Sequence, residues 1–155
     1  MNTNVRVSLV ETPAELAQCF EIRCRVFVEE QNVPRALELD DLDRVAQHVI
    51  ALDGDGKAVG TARYYVKGSS VKIGRVAVIK SRRGKGIGVL LMEFILEHAA
   101  LAGFSAAELN AQSYVVSFYE RLGFTPYGDE FEEAGIPHRQ MRLELRDGEM
   151  PREGV

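Results

Sequence analysis

The sequence predicts an α/β domain, a mixed twisted sheet of about seven strands with about four helices on its faces. Three observations carry that expectation. Short β-branched runs alternate apolar and polar residues, as in Val5, Val7 and Leu9 and again over Val71–Ile79. A longer segment repeats apolar residues at helical spacing and places Ile87, Leu90, Leu91, Phe94, Ile95 and Leu101 on one face. Between such runs, Asp53–Gly56, Gly68–Ser69, Gly103 and Gly123 read as turns and helix ends.

In chain order, a first strand lies at Val5–Leu9. Thr12, Pro13 and Glu15 form a helix-start signature, with a capping hydroxyl, a proline in the first turn and a returning carboxylate, so a helix is expected to about Phe27. Residues 28–44 are acidic and broken by Asn32 and Pro34, and read as a loop with a short helix. Strands follow at Gln47–Leu52, Ala58–Val66 and Val71–Ile79. A helix to Ala102 ends at Gly103; then come a buried strand at Ala106–Asn110, a short helix at Ser113–Leu122, and strands at Phe124–Tyr127 and Gln140–Leu145. The expected organisation is one domain over residues 1–146 and a polar tail over 147–155.

The 155 residues carry a net charge of −4, which gives a nucleic-acid partner no support. No apolar run is long enough to span a bilayer, and the N-terminus lacks a signal peptide's charged and apolar regions. Cys19 and Cys24 match neither a Cys-x-x-Cys motif nor a zinc spacing, so no metal is expected. They read as two buried thiols in a reducing, cytoplasmic setting.

The most informative segment is Arg82-Arg83-Gly84-Lys85-Gly86-Ile87-Gly88, between a strand and a helix. Glycines at such a junction turn backbone N–H groups toward an anion, and the helix N-terminus adds partial positive charge. Three phosphate-binding patterns compete. A P-loop requires Ser or Thr after Gly-Lys to hold Mg²⁺, and Gly86 stands there. A dinucleotide fingerprint starts with Gly84-x-Gly86 and finds an acid at Glu108, but its third glycine is Val89 and too little chain follows. The third pattern, Arg83-x-x-Gly86-x-Gly88, resembles the pyrophosphate loop of the GNAT acetyltransferases, which use acetyl-CoA. A second segment, Phe118-Tyr119-Glu120-Arg121-Leu122-Gly123-Phe124, resembles that family's Phe-Tyr-x-x-x-Gly-Phe signature. The element order is the family's own, so the resemblance covers about residues 5–145. Val26–Pro34 (Val-Phe-Val-Glu-Glu-Gln-Asn-Val-Pro) and Ala134–His138 (Ala-Gly-Ile-Pro-His) resemble a branch of small bacterial GNAT proteins.

The resemblance implies the GNAT acyl-CoA N-acyltransferase fold and a set of roles. Arg83, Gly84, Lys85, Gly86, Ile87 and Gly88 would hold the pyrophosphate. Val76, Ala77 and Val78 would line the pantetheine arm, with the Val78 backbone N–H polarising the thioester carbonyl. Tyr119 resembles the family's general acid. The family commonly has Asn seven residues before that tyrosine; here Gln112 stands there, with Asn110 as a partial substitute. Glu30, His48 and His138 are candidates for a base or for the acceptor pocket. Glu29, Glu30, Glu38, Asp40, Asp41 and Asp43 make residues 28–44 strongly negative, which would favour a cationic amine. The implied activity is transfer of acetyl from acetyl-CoA directly to a primary amine of a small molecule. A protein lysine or N-terminal acetyltransferase, or a non-catalytic acyl-CoA sensor, stays open. So does a homodimer.

Overall fold

Seven strands form one mixed sheet in the order β1-β2-β3-β4-β5-β7-β6 in the computed structural model, which describes residues 4–145. The strands are β1 (Arg6–Leu9), β2 (Gln47–Leu52), β3 (Ala58–Lys67), β4 (Ser70–Val78), β5 (Ala106–Gln112), β6 (Thr125–Glu133) and β7 (Ile136–Glu144). The α-helices are α1 (Pro13–Arg23), α2 (Arg35–Glu38), α3 (Ile87–Leu101) and α4 (Val116–Arg121). The expected tail, 147–155, lies outside the described residues.

By internal contacts the described chain divides into two units. The first comprises the described residues up to Tyr65 together with Arg75–Phe94; the second comprises Val66–Gly74 and the described residues from Ile95 onward. In the first unit, β1, β2 and β3 pair antiparallel, with Val49 opposite Ala62 and Ile50 opposite Thr61. Val49, Ile50 and Val59 are fully buried there, as are Leu91 and Met92 of α3. Gly60 permits the close approach of helix to strand: a Cβ on it would meet Ile87 Cγ2 and Leu91 Cδ1 at 3.2 Å. In the second unit, β4 and β5 run parallel from Ser70↔Ala106 to Ile73↔Leu109, and β7 pairs antiparallel with both β5 and β6. Its core contains Val71, Ala106, Ala107, Ile95 and Met141.

The start of α1 follows the sequence signature. Thr12 is extended at φ −131°, its hydroxyl accepts from the Glu15 N–H, and Pro13 opens the helix. The Glu15 carboxylate reaches one residue further back than a capping box requires and accepts from the Glu11 N–H at 2.8 Å. Gly103 closes α3: its own N–H returns to the Ala100 carbonyl and the Phe104 N–H to Ala99, with φ +92° at the glycine.

Four expectations are corrected. The first helix does not continue as α to Phe27; from Cys24 to Glu30 it widens into a π-helix. Cys19 is fully buried but Cys24 is only partly so, so one thiol rather than two belongs to the core. Leu101 turns away from the apolar face of α3 and is 61% exposed, while Ala99 and Ala100 take the buried positions. The last two strands are much longer than read and form a hairpin. Ala134 and Gly135 both take positive φ, 53° and 77°, the geometry of a tight two-residue turn.

Candidate active site

The glycine-rich segment lies wholly in the first unit. The Ile79 N–H donates to the Val59 carbonyl at 3.0 Å, which fixes where the chain leaves β4. A 3₁₀ turn over Lys80–Arg82 follows, and Arg82 ion-pairs with Asp53 at 2.8 Å. Asp53 also accepts from the N–H groups of Asp55 and Lys57, and these bonds hold its carboxyl below the usual carboxylate range. Arg83 donates through Nε to the Val78 carbonyl at 2.9 Å and pairs through Nη2 with Glu30 at 2.8 Å.

Gly84 and Gly86 then take φ +78° and +87°, conformations that L side chains rarely adopt. A Cβ on either would meet nothing within 4 Å, so it is the backbone turn, and not crowding, that requires glycine. Helix α3 starts at Ile87, which is buried and anchors the first turn, and Lys85 is exposed beside it. The first amides of an α-helix have no intrahelical carbonyl to bond. The local result is a group of N–H donors without helical carbonyl partners, flanked by Arg83 and Lys85 and suited to an anion.

Upstream, the last residues of β4 are Arg75, Val76, Ala77 and Val78. Arg75 has φ +53°, a left-handed conformation unusual for a non-glycine residue. Its guanidinium belongs to an ionic cluster that apolar spacing in the sequence does not reveal. Arg23, 1% exposed, bonds Glu38 at 2.6 Å and both carboxylate oxygens of Asp43 at 2.8 and 3.1 Å. Arg63 bonds Asp40 at 2.6 Å and Asp43 at 2.7 Å. Arg75 completes the set, contacting Glu38 at 3.2 Å and Asp40 at 3.3 Å. Burial works against ionisation of Asp43, but hydrogen bonds from Arg23 and Arg63 outweigh it and bring its pKa down to about 2. The hydrogen bond from Arg63 likewise lowers Asp40.

This cluster reduces the expected acidic field without covering Glu29 or Asp41, which are exposed. Glu38, Asp40 and Asp43 are neutralised by three arginines, and Glu30 is paired with Arg83. The one sequence signal for it was Arg23, four residues after Cys19 and three before Val26, on the buried face of α1. His48 lies beside the cluster, 8% exposed, with Phe20 edge-on at 5.8 Å. Its Nε2 bonds the Asp43 carbonyl at 2.9 Å, and its Nδ1 is buried without a hydrogen-bond partner.

The second unit holds Tyr119, Asn110, Gln112 and His138. Tyr119 is 8% exposed on α4 and packs edge-on against Phe118 and Phe124, with ring centroids 4.9 and 6.0 Å away. Its carbonyl accepts from the Leu122 and Phe124 N–H groups, closing α4 over Gly123, which has φ +104°. Burial raises the Tyr119 pKa strongly, so the phenol keeps its proton. Asn110 accepts from Lys72 Nζ at 3.0 Å and donates to Glu133 at 3.3 Å. Burial, reinforced by Lys67, lowers the Lys72 pKa. Gln112 stands opposite His138 in the β5–β7 register. The His138 Nδ1 lies 2.7 Å from the Ile136 carbonyl and, since a carbonyl can only accept, must carry the proton.

Among the described residues no helix is long and apolar enough to cross a membrane, and no cluster of metal-ligating side chains occurs. The family model for the acetyltransferase (GNAT) domain matches residues 13–145. YjcF of Bacillus subtilis, named an uncharacterized N-acetyltransferase, is 38% identical over 138 residues, which is 88% of this chain and 98% of that protein. An acyl-CoA N-acyltransferase from Pseudomonas aeruginosa superposes with a TM-score of 0.81 at 32% identity, covering 90% of this chain and 99% of the other. Escherichia coli ElaA gives the same TM-score and coverage at 30% identity. The loop and the tyrosine helix thus sit in a chain that belongs to the GNAT acetyltransferase family and is an acyl-transferring enzyme.

Proposed function

We propose that this enzyme transfers an acetyl group from acetyl-CoA directly to the primary amine of a small molecule. The observation that carries the reading is the Arg83–Gly88 segment, with two positive-φ glycines at the start of a 15-residue helix and open space where side chains would stand. A diphosphate fits such a donor set, because it needs several converging N–H groups and nearby positive charge more than any one side chain. Acetyl-CoA supplies the activated acyl group as a thioester.

The residues then divide the chemistry. The amides of Gly84–Gly88, with Arg83 and Lys85, hold the pyrophosphate. Val76, Ala77 and Val78 offer main-chain groups to the pantetheine arm, and the Val78 N–H stabilises negative charge developing on the carbonyl oxygen. The amine nitrogen bonds the acyl carbon as the C–S bond breaks, its proton passes to the base, and CoA leaves as a thiolate that takes a proton from solvent. Tyr119 donates a hydrogen bond to the departing sulfur. A phenol is a weaker acid than a thiol, and burial weakens this one further, so Tyr119 assists while charge develops on sulfur instead of protonating it beforehand. Asn110 and Gln112 serve as polar contacts for CoA.

Of the two candidate histidines, His138 is the better base. Its Nδ1–H is fixed on the Ile136 carbonyl, which leaves Nε2 as the lone-pair nitrogen. His48 uses Nε2 on a carbonyl and keeps its other nitrogen buried. Glu30, the third candidate, already pairs with Arg83. With Glu30, Glu38, Asp40 and Asp43 paired to arginines, the exposed Glu29 and Asp41 are the carboxylates of the segment that would favour a cationic amine.

The test is a panel of small cationic and neutral primary amines, peptides with free lysines or N-termini, and acetyl-CoA, followed by release of free thiol. Thiol release with small amines is expected. Release with peptides alone assigns the enzyme to protein acetylation. Tight acetyl-CoA binding with no release for any acceptor overturns the catalytic reading.

A further inference from the structure

In β4 the parallel ladder with β5 ends at Ile73↔Leu109, and two residues later Arg75 turns left-handed at φ +53°. For a residue with a Cβ this conformation is unfavourable and persists only when its surroundings enforce it. Here the enforcing contacts are visible. Arg75 Nε and Nη2 donate to the Glu38 carbonyl at 3.1 and 2.8 Å, and Nη2 also reaches the Leu37 carbonyl at 3.2 Å. These carbonyls end helix α2, whose four residues leave them no intrahelical partners. The same guanidinium pairs with the carboxylates of Glu38 and Asp40, and Glu38 is gripped from the other side by Arg23. A planar fork of donors meets all these acceptors together, as an ammonium group would not.

We infer that Arg75 is a positioning residue: its guanidinium, clamped on the end of α2, holds the left-handed turn that aims the Val76–Val78 main chain at the acyl end of the bound thioester. The inference rests on the acyl-CoA reading above. It separates the two ends of the cofactor, since the pyrophosphate loop lies beyond Val78 and keeps anchors outside that segment, Arg82 to Asp53 and the Ile79 N–H to the Val59 carbonyl.

The experiment is calorimetric titration of the full chain with acetyl-CoA and, separately, with 3′-phosphoadenosine 5′-diphosphate, the nucleotide end of CoA. It compares wild type with Arg75→Ala, Arg75→Gly and Arg75→Lys and records each melting temperature. Arg75→Ala is expected to weaken acetyl-CoA about tenfold or more and leave the nucleotide within about twofold, because a small misdirection of the β4 main chain affects only the acyl arm. Arg75→Gly is expected to bind acetyl-CoA at least about threefold more tightly than Arg75→Ala, since glycine adopts positive φ freely. Arg75→Lys keeps the charge beside Glu38 and Asp40 without the fork, so it keeps the fold even if the smaller variants lose it. It should still weaken acetyl-CoA selectively. Equal weakening of both ligands, unchanged acetyl-CoA affinity in all three variants, or no advantage of glycine over alanine overturns the inference. If wild type binds neither ligand, the acyl-CoA reading itself fails.

Discussion

Single residues of unusual local geometry shape the candidate site. Gly86 needs φ +87° but has empty space where a side chain would project. Gly86→Val should therefore leave the core intact and deform the loop. Acetyl-CoA affinity is expected to fall about tenfold or more, in line with the one to three kcal/mol that such a backbone costs a non-glycine residue. Calorimetry reads the result, and intact affinity would remove the loop from its role. Tyr119→Phe removes only a hydroxyl from a ring already packed between Phe118 and Phe124. It should lower kcat about a hundredfold with acetyl-CoA binding unchanged, the usual cost of removing one hydrogen-bond donor from a developing charge. An unchanged kcat would leave Tyr119 as a packing residue. Glu30→Gln frees Arg83 from a partly exposed ion pair. Such pairs are worth about 1 kcal/mol or less, so acetyl-CoA should bind about two- to threefold more tightly. Weaker binding would mean that the pair holds Arg83 ready for its ligand.

At the scale of elements, α1, α2, β3 and β4 meet in the cluster of Arg23, Arg63 and Arg75 with Glu38, Asp40 and Asp43. The Asp43 pKa is about 2 in the folded chain, and an unfolded aspartate titrates near its ordinary value of about 3.9. A depressed carboxyl contributes stability above the unfolded value and loses it as pH falls through the folded one. The melting temperature should thus drop between about pH 4 and pH 2, and part of that drop should vanish in Asp43→Asn. Acid unfolding followed by circular dichroism checks this; identical pH profiles would show that Asp43 gains nothing from its arginines.

Other elements show what the sequence could and could not convey. β2 was legible to the residue, because Gln47–Leu52 is buried through its middle and bounded by turn residues. The β6–β7 hairpin was read short because β6 is mostly exposed and four of its nine residues are acidic, which erases the alternation a half-buried strand leaves. The π-helix keeps the same residues a helix would use, so apolar spacing does not announce it. The loop glycines were legible because their requirement is local. Arg75 was not, since its partners lie about 37 residues away in sequence and ion pairs have no period.

For the whole molecule, the proposed reading requires that this GNAT-family chain bind acyl-CoA in preference to any other phosphate-bearing cofactor. The most direct measurement is the melting temperature of the full chain titrated separately with acetyl-CoA, CoA, ATP and NADPH. A ligand that binds only the folded state adds about 2.7 kcal/mol of stability at a hundredfold excess over its Kd. A saturable rise with acetyl-CoA and CoA, and none with ATP or NADPH at the same concentrations, is the predicted result. No rise with either CoA species, or a larger rise with ATP or NADPH, would contradict it.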